Sequence, residues 1–371
     1  MSDDRKVPPE KTPFFSLIIP CCDVEPYVKE CLDSILKQSF QDWECLLGIE
    51  TSKDRTEELI RELTAGDSRF RIFTGPRTGS CSESRNIGTE NARGEYVIFL
   101  DGDDLIAEGC LAKLHDLISA KPGADQYPCV IVTKDEMGGA NERRDNYRPD
   151  APAEMTGPEA TLYLERQWHG AFCPMLQLTV FRREFLMEHD LWCIRGLRHQ
   201  DSEFSPRALY RARRVIPLHE PFYIYRIRAN SVQTAAKGPG YFLKDWAIIT
   251  GSLLEFYGHV SKEPDFDARV TPCWTHQWIS RMNYMWFAPK AMRTIPRERR
   301  LETLQTIFAG GFDNHRAMLK SGTAAQKLFG AMVRAFVRHP SLRWLSELFF
   351  RCYYGVLEHK KGGESFRSAI G

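Results

Sequence analysis

Between residues 14 and 100, apolar runs of strand length alternate with segments of helical period, and few topologies accommodate that alternation. Phe14 to Pro20 (FFSLIIP) is an apolar run closed by proline, the pattern of a strand buried on both faces. Pro26 to Gln38 then places Val28, Leu32, Ile35 and Leu36 at helical spacing, and Trp43 to Ile49 supplies a second strand, completing a βαβ unit. The series continues with a helix over Arg55 to Leu63, a strand over Phe70 to Thr74, a helix over Ser82 to Ala92 and a strand over Glu95 to Leu100. It predicts a parallel α/β sheet, whose ligands bind beyond the carboxyl ends of the strands. The loops starting near Pro20, Glu50, Gly75 and Asp101 should therefore meet at one crevice.

Past this point the pattern changes. Residues 122–160 are rich in Pro, Gly, Asp, Arg and Asn and read as loops, interrupted by a strand over Cys129 to Thr133. Order resumes with a segment from Trp168 to Arg183, a helix over Ser202 to Arg211 and an aromatic strand over Pro221 to Ile227. Beyond about residue 240 helical periods dominate. The organisation expected is a polar tail at 1–13, an α/β catalytic domain at 14–239 and a helical region at 240–371.

Charge and cysteine usage narrow the partners. Fifty Lys and Arg against 49 Asp and Glu leave a formal charge of +1, so no global field favours nucleic acid. The eleven cysteines are scattered and lack a CxxC pair of the zinc-binding kind, which fits a reduced cytoplasm. The first residues, MSDDRKVPPEKTP, lack the apolar stretch of a signal peptide, and no window has the roughly 18 apolar residues of a spanning helix.

The sharpest chemical signal is Asp101-Gly102-Asp103-Asp104, directly after the apolar YVIFL. Three carboxylates in four residues repel one another, a cost that a bound cation offsets, and hard oxygen ligands point to Mg²⁺ or Mn²⁺. A solvated acidic turn is the plainer account of such a cluster. An EF-hand is excluded, because Ala112 stands where that loop needs Glu.

Taken together, SLIIPCCDVEPYVKECLDSILKQSF, TSKDRT and SESRNIGTENARGEYVIFLDGDD resemble, in order and spacing from Phe15 to about Leu105, the nucleotide-binding half of family 2 glycosyltransferases. The resemblance implies the GT-A fold, a nucleotide-sugar donor (a UDP-sugar above all) and a divalent metal held on the diphosphate by Asp101, Asp103 and Asp104. It implies a donor site drawn from Pro20, Asp23, Glu50, Ser52, Arg85, Asn86, Asp101 and Gly102. Arg85-Asn86-x-Gly88 matches the family's Arg-Asn-x-Gly helix start, where an Arg suits a diphosphate. The chain departs from the family at Ile49 and Glu50, where paired aspartates are usual, and at Thr51, where glycine is usual. Glu50 can still accept from a uracil N–H, and Asp54 reads as a helix N-cap.

Farther on, His199-Gln200-Asp201-Ser202-Glu203-Phe204 resembles the segment whose Asp acts as base in that family, with Gln200 in place of the usual Glu. A sugar hydroxyl needs a carboxylate to take its proton as it attacks, so Asp201 is the candidate base of an inverting displacement. Asp201 could equally cap the helix it opens. Arg226, Arg228 and Ser231 belong to a stretch similar to the family's closing strand and turn near the diphosphate, and Trp168 and His199 are candidates for the acceptor side. The acceptor implied is a carbohydrate or glycolipid of a surface polysaccharide or related glycan. Two accounts stand for residues 321–361, where basic and aromatic side chains interleave: helices packed on the rest of the chain, or a peripheral contact with an anionic membrane. A rival to catalysis is a relative that binds a nucleotide sugar or a partner without transfer.

Overall fold

The structure is a computed structural model that describes residues 12–168, 175–229, 243–287, 296–308, 313–319 and 324–339. In chain order its elements are β1 (Phe15–Cys21), α1 (Glu25–Leu36), β2 (Trp43–Glu50), α2 (Thr56–Thr64), β3 (Phe70–Gly75), α3 (Ser82–Asn91) and β4 (Tyr96–Phe99). Then come β5 (Leu105–Ile106), α4 (Cys110–Ala120), β6 (Gln126–Pro128), β7 (Val130–Asp135), β8 (Arg143–Asp145), α5 (Gly157–Trp168), β9 (Thr179–Arg182), α6 (Arg183–Glu188), α7 (Asp201–Arg211) and β10 (Pro221–Ile227). The helices α8 (Leu243–Val260), α9 (Thr271–Phe287), α10 (Arg297–Ile307), α11 (Asp313–Leu319) and α12 (Ala324–Arg338) follow.

These elements form two compact units. Among the described residues, the first takes in those up to Glu154, Leu176–Gly196 and Arg213–Arg228, and the second takes in those of Met155–Met175, Leu197–Ala212 and from Ala229 on. Two stretches that lie inside the range expected for the α/β domain, 155–175 and 197–212, thus pack with the helices.

In the first unit a six-stranded sheet has the order β3-β2-β1-β4-β9-β6. β1 pairs in parallel with β2 and β4, and β2 with β3, while β9 runs antiparallel to both β4 and β6. The apolar run that opens the chain therefore becomes the inner strand, with all seven residues of β1 buried, whereas β3 sits at the sheet edge and is only half-buried. A second sheet of order β5-β10-β7-β8 joins two antiparallel pairs to the parallel β10–β7 pair. The stretch expected to be mostly loop contributes β6, β7 and β8 to these sheets.

Close approach of α3 to β1 explains Gly88. A Cβ there would lie 2.4 Å from Cγ2 of the buried Ile18. Gly88→Ala gains about 1 kcal/mol of helix propensity. Overpacking a filled core costs about 1–3 kcal/mol, and Ile18, branched at Cβ within a central strand, has little room to yield. Gly88→Val adds two more carbons and loses most of the propensity gain, so it should lower the unfolding midpoint clearly while Gly88→Ala lowers it slightly, as read by thermal denaturation.

The second unit has its own core. Tyr257, Trp274, Trp278, Leu254, Ile307, Phe308, Met318 and Val333 are buried together, with Tyr257 and Trp274 edge-to-face at 5.0 Å between centroids.

Candidate active site

The loops that leave β1 and β2 are joined by reciprocal hydrogen bonds. The Asp23 N–H donates to Ser52 Oγ (3.2 Å), Lys53 N–H to Asp23 Oδ1 (2.7 Å), Val24 N–H to Thr56 Oγ1 (2.9 Å), Glu25 N–H to Asp54 Oδ2 (3.0 Å) and Arg55 N–H to Glu25 Oε2 (2.8 Å). Asp54 thus satisfies the start of α1 and, through the Thr56 N–H at 3.1 Å, the start of α2. Asp23 adopts φ +52°, a left-handed conformation uncommon outside glycine, held by its two-sided bonding. Arg77 pairs with Asp23 Oδ2 at 2.7 Å, and that bond, with the Lys53 N–H, holds the Asp23 carboxyl below its ordinary range.

Glu50, at the end of β2, is buried and accepts from the Thr78 N–H at 3.0 Å and from the Thr78 hydroxyl. Its carboxylate therefore fixes the loop that follows β3. Pro20 lies opposite Gly48 in the β1–β2 register, and a Cβ on Gly102 would stand 3.1 Å from the Pro20 carbonyl. The acidic turn after β4 and the β1 loop are thus in contact, as the convergence of loops at one edge requires.

Within the acidic turn each carboxylate has different partners. Asp101 accepts from the buried Arg85 guanidinium at Oδ1 and from Gln177 Nε2 at Oδ2, the latter at 2.8 Å. Asp103 Oδ2 accepts from Arg228 Nε at 2.9 Å and Nη2 at 2.7 Å, and Arg228 lies over the Tyr27 ring. Asp104 is 1% exposed; Tyr223 Oη donates to its Oδ2 at 2.6 Å and the Arg226 N–H to its Oδ1 at 2.7 Å. Burial, then the charges of Asp103 and Asp101, push the Asp104 carboxyl well above its ordinary range, against those two donors. Asp104 is a tie between the acidic turn and β10.

Of the three aspartates read as metal ligands, then, Asp101 and Asp104 both have their two oxygens engaged in the protein, but Asp104 is buried whereas Asp101 stays partly exposed. Among the described residues no group of three or more His, Cys, Asp or Glu side chains is arranged to hold a metal ion. Asp101 and Asp103 do fit a hard cation as a pair. Their side chains are each 24% exposed, and burial followed by the Asp101 charge raises the pKa of Asp103. A carboxylate whose ionisation a neighbouring carboxylate disfavours is part of a donor set that a divalent cation neutralises.

The remaining expected residues divide. Arg85 is buried, and its contact is with Asp101, so it positions that carboxylate. Asn86 is spent on the backbone: its Nδ2 donates to the Cys193 carbonyl at 2.8 Å and its Oδ1 accepts from the Cys193 N–H at 2.9 Å. Gln177 was not legible as a site residue, since its partner Asp101 is 76 positions away and nothing in its neighbours marks it.

Asp201 opens α7 in the second unit, half-buried, with Oδ1 accepting from the Ser202 N–H at 2.8 Å. Gln200 beside Asp201 is 3% exposed. His199 stacks on Trp246 at 5.8 Å, and Arg198 pairs with Asp245 at 2.8 Å, so the approach to α7 is pinned to α8. Ser231 and the Trp168 side chain lie outside the described residues, as does most of 321–361. No helix among the described residues is long and apolar enough to cross a membrane.

A mostly parallel sheet with an acidic turn after its inner strand β4, joined to a second mixed sheet, is the GT-A architecture. TarS of S. aureus, residues 1–349, superimposes with a TM-score of 0.60 at 18% identity, covering 87% of this chain and 91% of that one. Structures of the same TarS fragment in complex with UDP and with UDP-GlcNAc match at TM-scores of 0.60 and 0.53. Residues 16–189 match the model of glycosyl transferase family 2. In sequence it is 32% identical over 223 residues to an uncharacterized glycosyltransferase, EpsJ, of Bacillus subtilis, covering 59% of this chain and 63% of that protein. It is 23% identical over 330 residues to the poly(ribitol-phosphate) beta-N-acetylglucosaminyltransferase TarS of Staphylococcus aureus, covering 83% of this chain and 55% of that protein. The chain thus spans less than two thirds of the length of either relative.

Proposed function

We propose that the protein transfers a sugar from a nucleotide-diphosphate donor, a UDP-sugar, to a hydroxyl of a carbohydrate or glycolipid acceptor in the assembly of a surface polysaccharide or teichoic-acid-like glycan. The observation that carries this reading is the placement of Asp101 and Asp103 at the end of β4, against the cross-bonded loops of β1 and β2, in a GT-A fold. Binding of UDP and UDP-GlcNAc by the structurally similar TarS supports the choice of donor. All nine described cysteines are free thiols, which fits a reducing cytoplasm.

In this reading Pro20, Asp23, Ser52 and Gly102 form the donor wall, and Glu50 acts behind it by holding the loop that follows β3. Arg85 and Asn86 also act behind the wall, the first by holding Asp101 and the second by fixing the chain at Cys193. Asp103, with Asp101, would hold Mg²⁺ or Mn²⁺, which supplies charge stabilisation to the leaving diphosphate. Asp201 accepts the acceptor's proton as the hydroxyl oxygen bonds to the anomeric carbon; the bond from that carbon to the diphosphate breaks, and its electron pair leaves with the diphosphate. One displacement from the opposite face inverts the anomeric centre.

Release of nucleoside diphosphate from a panel of UDP-, GDP- and dTDP-sugars tests the reading. A UDP-sugar should give acceptor-dependent release. Donor binding without release or transfer, across the panel and a range of glycan acceptors, would mark a binding relative instead.

A further inference from the structure

α7 contains a proline that ought to weaken it. Pro206 has no N–H, so the Ser202 carbonyl one turn earlier loses its helical donor, and the ring crowds that carbonyl as well. The affected carbonyl is in the first turn, one residue from Asp201. From α9, the Arg281 guanidinium reaches across and donates through Nη2 to the Ser202 carbonyl at 3.3 Å. Arg281 and Pro206 also line one cavity, with Thr250, Trp274, Gln277 and Trp278.

We propose that Arg281 is a positioning residue: its guanidinium replaces the amide that Pro206 lacks, and so holds the turn that carries Asp201. The rest of that turn is held in the same manner. Glu203 is 1% exposed, accepts a two-point bond from Arg207 (2.7 and 2.8 Å) and accepts from Ser252 of α8 at 2.6 Å. The turn is therefore fixed from α8 at Glu203 and from α9 at Ser202. A carboxylate acting as base must sit within hydrogen-bond reach of the proton it takes, and small displacements of such a group cost rate steeply. The inference rests on the reading of Asp201 as the base.

The sequence offers its own control, because Pro206→Ala restores the missing N–H. Arg281→Met should lower kcat on the order of tenfold, with donor affinity by calorimetry unchanged. Arg281→Met combined with Pro206→Ala should recover most of the kcat of Pro206→Ala alone. Hydrogen exchange of a peptide covering 201–209 should quicken in Arg281→Met and slow again in the double variant. A double variant as impaired as Arg281→Met, or exchange at 201–209 that Arg281→Met leaves unchanged, would overturn the proposal. Full turnover by Asp201→Asn would remove the base and with it the catalytic consequence, whereas the exchange measurement reads the support of the helix on its own.

Discussion

Asp201→Asn should lower kcat by about 10²–10⁴-fold, the range for loss of a general base, while the affinity for a UDP-sugar stays within about twofold. The substitution keeps the side-chain shape and an oxygen able to accept from the Ser202 N–H, so α7 should keep its first turn. What it removes is the carboxylate able to take a proton in the transition state. A fall in kcat without a change in donor binding is the signature of an interaction made there. Equal loss of binding and turnover, with a lowered unfolding midpoint, would instead make Asp201 a helix cap.

The second large effect is expected at Asp103. Asp103→Asn should weaken divalent-cation-dependent binding of UDP by at least about 100-fold, since replacing groups that merely orient metal ligands already costs roughly 10–100-fold. Calorimetry with UDP, in Mn²⁺ and in chelator, reads this directly. Asp104→Asn makes the contrast: its carboxylate is buried against Tyr223 and Arg226, and an amide there leaves one donor facing another. That variant should lose about 1–3 kcal/mol of stability, the cost of an unmet buried polar group. If Asp103→Asn bound UDP with Mn²⁺ as tightly as the wild type, the acidic turn would have no cation role.

The pattern of apolar runs made the core of the first unit legible. Phe15–Cys21 and Trp43–Glu50 are buried over every residue, and the strands and helices up to β4 fall within two residues of the ends read from periodicity. α4 could also have been drawn, because Leu111, Leu114 and Ile118 keep helical spacing. Short strands were another matter: β5 has two residues and β8 three, too few to show a period.

The acidic turn was legible as a motif but not in its division of labour. Asp101, Asp103 and Asp104 look alike in sequence, and their difference comes from Arg85, Gln177, Arg228 and Tyr223, which lie 16 to 125 positions away. Asn86 shows the same limit, since the peptide it clamps is 107 residues on. The association of 155–175 and 197–212 with the C-terminal helices depends on packing, which composition does not record. Pro206 stands in plain view within the stretch read as the helix Ser202 to Arg211, though the sequence reading drew nothing from it. Its compensation does not, because Arg281 is 79 residues from Ser202.

The most direct test of a nucleotide-sugar transferase is to incubate the whole chain with UDP-sugars, Mn²⁺ and glycan acceptors, measure UDP release, and record the anomeric proton of the first product by NMR. The account predicts acceptor-dependent UDP release and a β-linked product from an α-linked donor. An α-linked product, or no release with any donor, would contradict it.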